Sequence, residues 1–365
     1  MLEAAELFGN PSSLHTEGLK AQKLMDEARK RVLAALGVKN EGRLVFTSCG
    51  TEATSLALFG TAFAKERREA TRILTTDSEH PSVEEALKKL EGFGFEVVRI
   101  PTARGVLDID ALAAALDKKI FLASFMMVNN ETGAAYDVAR AFDIIKQKYP
   151  NAITHCDAVQ GFMKIRFTPA KIKADLVTVS GHKLHAPKGV GALYISNELI
   201  KAKKIVPFLV GGGQEGGMRS GTENVIGISA FGAAVADTYS RFDAVTEQMR
   251  SLLGYARERL SALDVKLNIP DGACAPHILN VTLPSIKSET MLHYLSRFGI
   301  YVSSGSACSS HSHTPSRALT AFGLDAHSAD CSLRISLSEY STKEEIDILC
   351  DKLSQGIKTL VKIRR

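Results

Sequence analysis

The chain has 365 residues, 45% of them hydrophobic and 23% charged, enough to bury a sizeable core and fitting one large plus one smaller domain. Its 45 basic and 40 acidic residues leave a net charge of +5, spread without like-charge runs or a basic stripe interleaved with aromatics, so no nucleic-acid footprint is read. No stretch approaches the roughly 20 apolar residues of a membrane span, "MLEAAELFGN" lacks a secretory pattern, and six cysteines without a CxxC pair indicate free thiols in a reducing, cytoplasmic setting.

From about residue 43, apolar or β-branched runs ("RLVFTS", "ATRILTTDS", "FEVVRIP", "IFLASFMMV", "AITHCDA", "DLVTVSG", "GALYIS") alternate with helical patterns. That alternation predicts a mostly parallel sheet covered by helices. The glycine-rich "VGGGQEGGMRSG" at 210–221 precedes a long, weakly broken helical stretch from about Val225 to Leu263. A domain change is placed inside it near residue 240, giving a large domain over 1–240 and a small C-terminal α+β domain over 241–365. The last element expected is the helix "KEEIDILCDKLSQGIKTLVKI".

Ligands of open parallel sheets collect where strands hand over to loops, and several polar clusters lie at such exits. "FTSCGTEAT" opens a helix, so Gly50, Thr51 and the first helical N–H groups suit an anion cup; a capping box with Thr51 as N-cap explains the same residues. "DSEHPS" sets His80 past a strand, where a surface histidine capping a helix is the plain alternative. "HCDAVQ" sets Asp157 and Gln160 at another exit. "VTVSGHKLHAPKG" is less easily dismissed: Lys183, preceded by Ser180 and His182, ends an apolar strand, and an unpaired buried ammonium is expensive. A strand-end lysine, a carboxylate and a phosphate cup together suggest pyridoxal phosphate, which needs a Schiff-base partner, an acid for its ring nitrogen and an anion cradle.

The order "FGNPSSLH", "FTSCGTEAT", "SEHPSV", "VNNETG", "HCDAVQ", "SGHKLHAPKGVG", "GGGQEGGMRSGTEN", "SSGSACSS" and "SLRISLS" resembles the cysteine desulfurases of the NifS and IscS type. These belong to the class V aminotransferase-like group of fold type I pyridoxal phosphate enzymes. The resemblance runs from about Phe8 to the C-terminus and implies an α/β fold type I transferase acting as a homodimer. It implies that Lys183 carries the cofactor and moves the α-proton of L-cysteine, that Asp157 pairs with the ring nitrogen, and that Gln160 contacts the ring hydroxyl. His80 would stack on the ring; Gly50, Thr51, Ser180 and His182 would hold the phosphate, with Thr222 reaching in from the other subunit. Asn130 and Arg334 would bind the substrate carboxylate, and Asn130 would also border the cofactor. Cys308 would take the sulfur as a persulfide and pass it to an acceptor protein, such as an iron–sulfur scaffold or a tRNA thiolation factor, leaving alanine.

Two departures from the family pattern stand out. The chain starts at "MLEAAELFGNPSS", without the "DNAATT"-like opening of the family, so a dimeric scaffold that keeps the cofactor but turns over poorly is an alternative reading. Cys49 stands where a glycine-like residue is usual and is read as a small buried hydrophobe. A selenocysteine lyase or related enzyme would keep Lys183 and Asp157 but need not keep Cys308. A metal reading of Cys308, His311 and His313 has the right donor types, yet offers one thiolate and no CxxC. A protonated neighbouring histidine would lower the Cys308 thiol pKa.

Overall fold

The structure, a computed structural model, describes residues 1–64, 70–305 and 316–361. Its large sheet has seven strands: β1 (Gly42–Thr47), β2 (Arg72–Thr76), β3 (Glu96–Ile100), β4 (Ile120–Met126), β5 (Ile153–Asp157), β6 (Leu176–Ser180) and β7 (Gly191–Ser196). They lie in the order β1-β7-β6-β5-β4-β2-β3. β7 alone runs against its neighbours β1 and β6, and all other pairings are parallel. The strands at the centre are buried along their whole length because helices cover both faces. Two apolar clusters separate accordingly: one gathers Phe46, Phe125, Phe142 and Phe231, the other Val45, Leu58, Leu87 and Leu193.

The stretch expected as one broken helix forms two, Val225–Ser240 and Phe242–Ser261. Arg241 leaves helical geometry at φ −116° and ψ 14°, and the turn lets Phe242 bury its ring beneath the Arg166 guanidinium, 4.3 Å from the ring centroid. A third apolar cluster starts at Leu252 and runs to Ile357. It forms around a four-stranded antiparallel sheet of β8 (Lys266–Leu267), β9 (Ile278–Thr282), β10 (Ser303–Ser304) and β11 (Ser332–Ser336). The final helix spans Lys343–Thr359 and opens with a capping box between Thr342 and Glu345. No helix among the described residues is long and apolar enough to cross a membrane.

Candidate active site

Four strand exits converge. β1 leads into the helix Gly50–Ala62, whose N-cap Cys49 is extended and makes no side-chain cap. This corrects the capping-box reading: Thr51 lies inside the first turn, and its side chain is exposed. Elsewhere in the fold His15, His80, Asp108, Asp137, Ser196 and Asn224 each cap a helix start. The first N–H groups at Gly50 therefore stay available to an anion. A Cβ on Gly50 would stand 3.0 Å from the Val159 side chain and 3.5 Å from Ser180 Cβ, so the β1, β5 and β6 exits meet there. Cys49 is half-buried rather than part of the core.

β6 ends at Ser180, and Lys183 lies beyond it in a tight turn, Gly181–Leu184, not on the strand itself. Lys183 is half-buried and His182 exposed. Ser180 Oγ and His182 Nδ1 are 2.9 Å apart. At the β5 exit Asp157 is buried and its Oδ1 accepts the Val159 N–H at 3.0 Å. Burial raises the Asp157 carboxyl pKa, while His80 and Lys183 pull it back down. His80 both caps the helix Pro81–Glu91 and faces this cluster. Its Nδ1 accepts the Ser82 N–H at 3.1 Å, which leaves the proton of a neutral ring on Nε2, and burial holds the ring below its ordinary pKa.

Gln160 Oε1 lies 3.2 Å from His277 Nε2. Asn130 is buried, and its carbonyl accepts from Arg334 Nη1 at 2.9 Å; Arg334 Nη2 donates to Ser303 Oγ at 3.0 Å. Arg334, on β11, thus faces Asn130 of the large sheet's side. Thr222 borders a small cavity with Ser48, Gly189, Arg219 and Glu223 on the same chain. Cys308, His311 and His313 lie outside the described residues, and no metal-binding cluster occurs among the described ones.

Residues that sequence reasoning passed over complete the site. Glu131 is buried and accepts from Ser316 Oγ at 2.7 Å. His155 joins Ser124 Oγ at 2.8 Å and Thr178 Oγ1 at 3.0 Å beneath the β5 exit, where burial pushes its pKa down to about 3. Glu79, inside the quoted "DSEHPS", accepts from Thr76 Oγ1 at 2.7 Å and from Met126 N at 2.8 Å through one oxygen. Its other oxygen is buried without a partner.

Burial, with the nearby Asp157 charge adding to it, pushes Glu79 from 4.5 up to about 8. Between those values the folded chain holds a proton that the unfolded chain releases. The stability this proton contributes is complete below about 4.5 and is lost as pH rises through about 8. Each pKa unit is worth about 1.36 kcal/mol, so the loss amounts to several kcal/mol. Glu79→Gln keeps the acceptor for Thr76 and Met126 and cannot ionise. Thermal unfolding across pH should show it melting with the wild type near pH 5 and a few degrees above it near pH 9; parallel curves would refute the assignment.

The donor set fits pyridoxal phosphate on three counts: an uncapped helix start closed by Gly50 and Ser180, a buried carboxylate in need of a cation, and a half-buried lysine beside both. The comparisons agree. The family model described as aminotransferase class-V matches residues 2–349. The cysteine desulfurase IscS of Dictyoglomus turgidum is 38% identical over 97% of this chain and 89% of its own. Among solved structures, a "NifS-like protein" superposes with a TM-score of 0.89 at 36% identity, over 97% of this chain and 93% of that one. "SspA in complex with cysteine" superposes at 0.79 with 30% identity, over 93% and 95%. The fold is that of the fold type I pyridoxal phosphate transferases, and the chain belongs to the aminotransferase class-V family.

Proposed function

We propose that this chain is a cysteine desulfurase that converts L-cysteine to L-alanine, with pyridoxal 5'-phosphate as cofactor and Cys308 as the sulfur acceptor. The observation that carries this reading is the meeting of Lys183, Asp157 and His80 at neighbouring strand exits, in a chain similar along 97% of its length to a cysteine desulfurase.

The bound cofactor supplies an electron sink that makes the α-proton of an amino acid removable and its Cβ–S bond breakable. The chain supplies the rest. Gly50, Thr51, Ser180 and His182 hold the phosphate, with Thr222 of a second protomer assigned the same task. Asp157 would hold the proton on the ring nitrogen of the bound cofactor, whose positive charge would compensate the burial of the carboxylate. Lys183 holds the cofactor and moves the substrate's α-proton. Arg334 turns its guanidinium to the substrate carboxylate, which Asn130 helps to seat. His80, neutral with its proton on Nε2, would stack on the bound ring and assist proton transfer. Cys308, as thiolate, forms an S–S bond to the substrate sulfur while the Cβ–S bond breaks, and the persulfide then passes to an acceptor.

The same reading makes the enzyme a cytoplasmic homodimer with two units, 1–240 and 241–365, the second carrying Cys308. The free thiols among the described residues support the compartment, and we assign the outgoing sulfur to iron–sulfur cluster assembly. The test is direct. Purified protein should carry the yellow absorbance of lysine-bound cofactor, and adding L-cysteine should yield alanine together with persulfide or sulfide. Colour without alanine would favour a cofactor-binding scaffold instead, and colourless protein would refute the site.

A further inference from the structure

His277 is six per cent exposed and lies immediately before β9, at the point where the small sheet backs onto the site. Its backbone is pinned because its carbonyl accepts the Leu337 N–H at 2.8 Å. One ring nitrogen, Nε2, lies 3.2 Å from Gln160 Oε1; the other, Nδ1, is buried with no hydrogen-bond partner. We propose that His277 is a positioning residue that locks the side-chain amide of Gln160, so that its NH2 group, and not its oxygen, is presented to the cofactor ring. The inference rests on the placement of that ring against Asp157.

Chemistry chooses between the two ways this pair can be arranged. Burial, with Lys164, Lys183 and Arg334 nearby, drives the His277 pKa down to about 3, so the ring is neutral and carries one proton. With the proton on Nε2, His277 donates to Gln160 Oε1, and Nδ1 keeps only a lone pair, in a ring whose charged influences are cationic. With the amide flipped, Gln160 would donate to Nε2 and the ring proton would sit on Nδ1. That places a buried N–H without an acceptor among positive charges, the costlier orphan. The charged groups around the pair comprise these three cations, Glu339, which faces Lys164 at 3.9 Å, and Asp157 three positions before Gln160. None of the described residues accepts from the Gln160 NH2, so it is available to stabilise negative charge on an oxygen of the ring.

The consequence is spectroscopic. Losing an N–H donor to the ring oxygen makes the bound chromophore hold its proton more tightly. In the holoenzyme, His277→Phe and Gln160→Ala should each raise the pKa of the yellow absorbance by about half a unit to one unit. The double variant should shift no further than Gln160→Ala alone, because His277 acts through Gln160. His277→Gln, which can offer an amide N–H, should return most of the shift. Additive shifts, or a wild-type titration for His277→Phe beside a shifted Gln160→Ala, would overturn the proposal. Nitrogen-15 labelling of histidine reads the wild-type tautomer directly and depends on no variant folding: a proton on Nε2 is expected, and one on Nδ1 overturns it. Wild-type protein without a chromophore would be a failure of the cofactor reading, distinguishable because the tautomer can still be measured.

Discussion

Lys183→Ala is expected to lower alanine formation from L-cysteine by at least about 10²–10⁴-fold, the span attached to losing a positioned proton-transfer group. It should also abolish attachment of the cofactor to the chain. Borohydride treatment of the wild type should fix a pyridoxyl group on the peptide containing Lys183, and mass spectrometry of the variant should find none on any lysine. The argument is positional. Lys183 sits in the turn Gly181–Leu184 just beyond β6, while Ser180 at the strand end belongs to the anion cup and the Lys183 charge acts on both Asp157 and His80. Among the described residues, Lys183 is the lysine whose charge acts on both of these groups. Because Lys183 is half-buried in a turn and lies in none of the three large apolar clusters, truncation opens no core cavity, and the melting temperature of the cofactor-free variant should match that of the cofactor-free wild type. A pyridoxyl group recovered on a different lysine of the wild type would refute the assignment.

The sheet was legible because its strands are short apolar runs set between helical patterns, and buried parallel strands read that way. The reversed direction of β7 was not legible: Gly191–Ser196 is as apolar as its neighbours, and direction depends on the connection from Lys183 to Val190. The break at Arg241 falls where a weak break near residue 240 is expected, but its sharpness was not legible, since Ser240 and Arg241 carry no helix-breaking chemistry and burial of Phe242 decides it. Site residues adjacent to strand exits, such as Lys183, Asp157 and His80, could be nominated from pattern alone. Residues that act through long-range pairing could not. His277 meets Gln160 across 117 positions and Glu131 meets Ser316 across 185, and a single buried histidine or glutamate carries no mark of its partner in the sequence. Glu79 carries no mark of its burial in the sequence either, because its long-range contacts, the Met126 N–H at the end of β4 and the charge of Asp157 at the end of β5, come from strands distant in the chain.

Cys308→Ser is expected to separate the two halves of the chemistry. Alanine and sulfur release from L-cysteine should fall by about 10²-fold or more, while the yellow absorbance and the borohydride-fixed group on Lys183 remain as in the wild type. The described residues on either side of the Cys308 segment explain why this thiol is the candidate. On one side, Ser303 of β10 pairs with Arg334 of β11 and its hydroxyl accepts from the same guanidinium. Gly305, three positions before Cys308, has a φ of +60° and would place a Cβ 3.6 Å from the Glu131 carboxylate. On the other side, Ser316 donates to that same carboxylate at 2.7 Å. One end of the segment is therefore hydrogen-bonded to Glu131 and the other passes close to the same carboxylate; Glu131 is the residue after Asn130, next to the arginine assigned to the substrate carboxylate. The five cysteines among the described residues do not compete on these terms: Cys156, Cys331 and Cys350 are buried, with burial raising each thiol pKa, and Cys274 has a carbonyl as its one sulfur contact. Cys49 alone lies near the anion cup, so Cys49→Ser is the control. It should retain alanine formation within a few-fold of wild type, and a loss in Cys49→Ser with none in Cys308→Ser would move the acceptor role to Cys49.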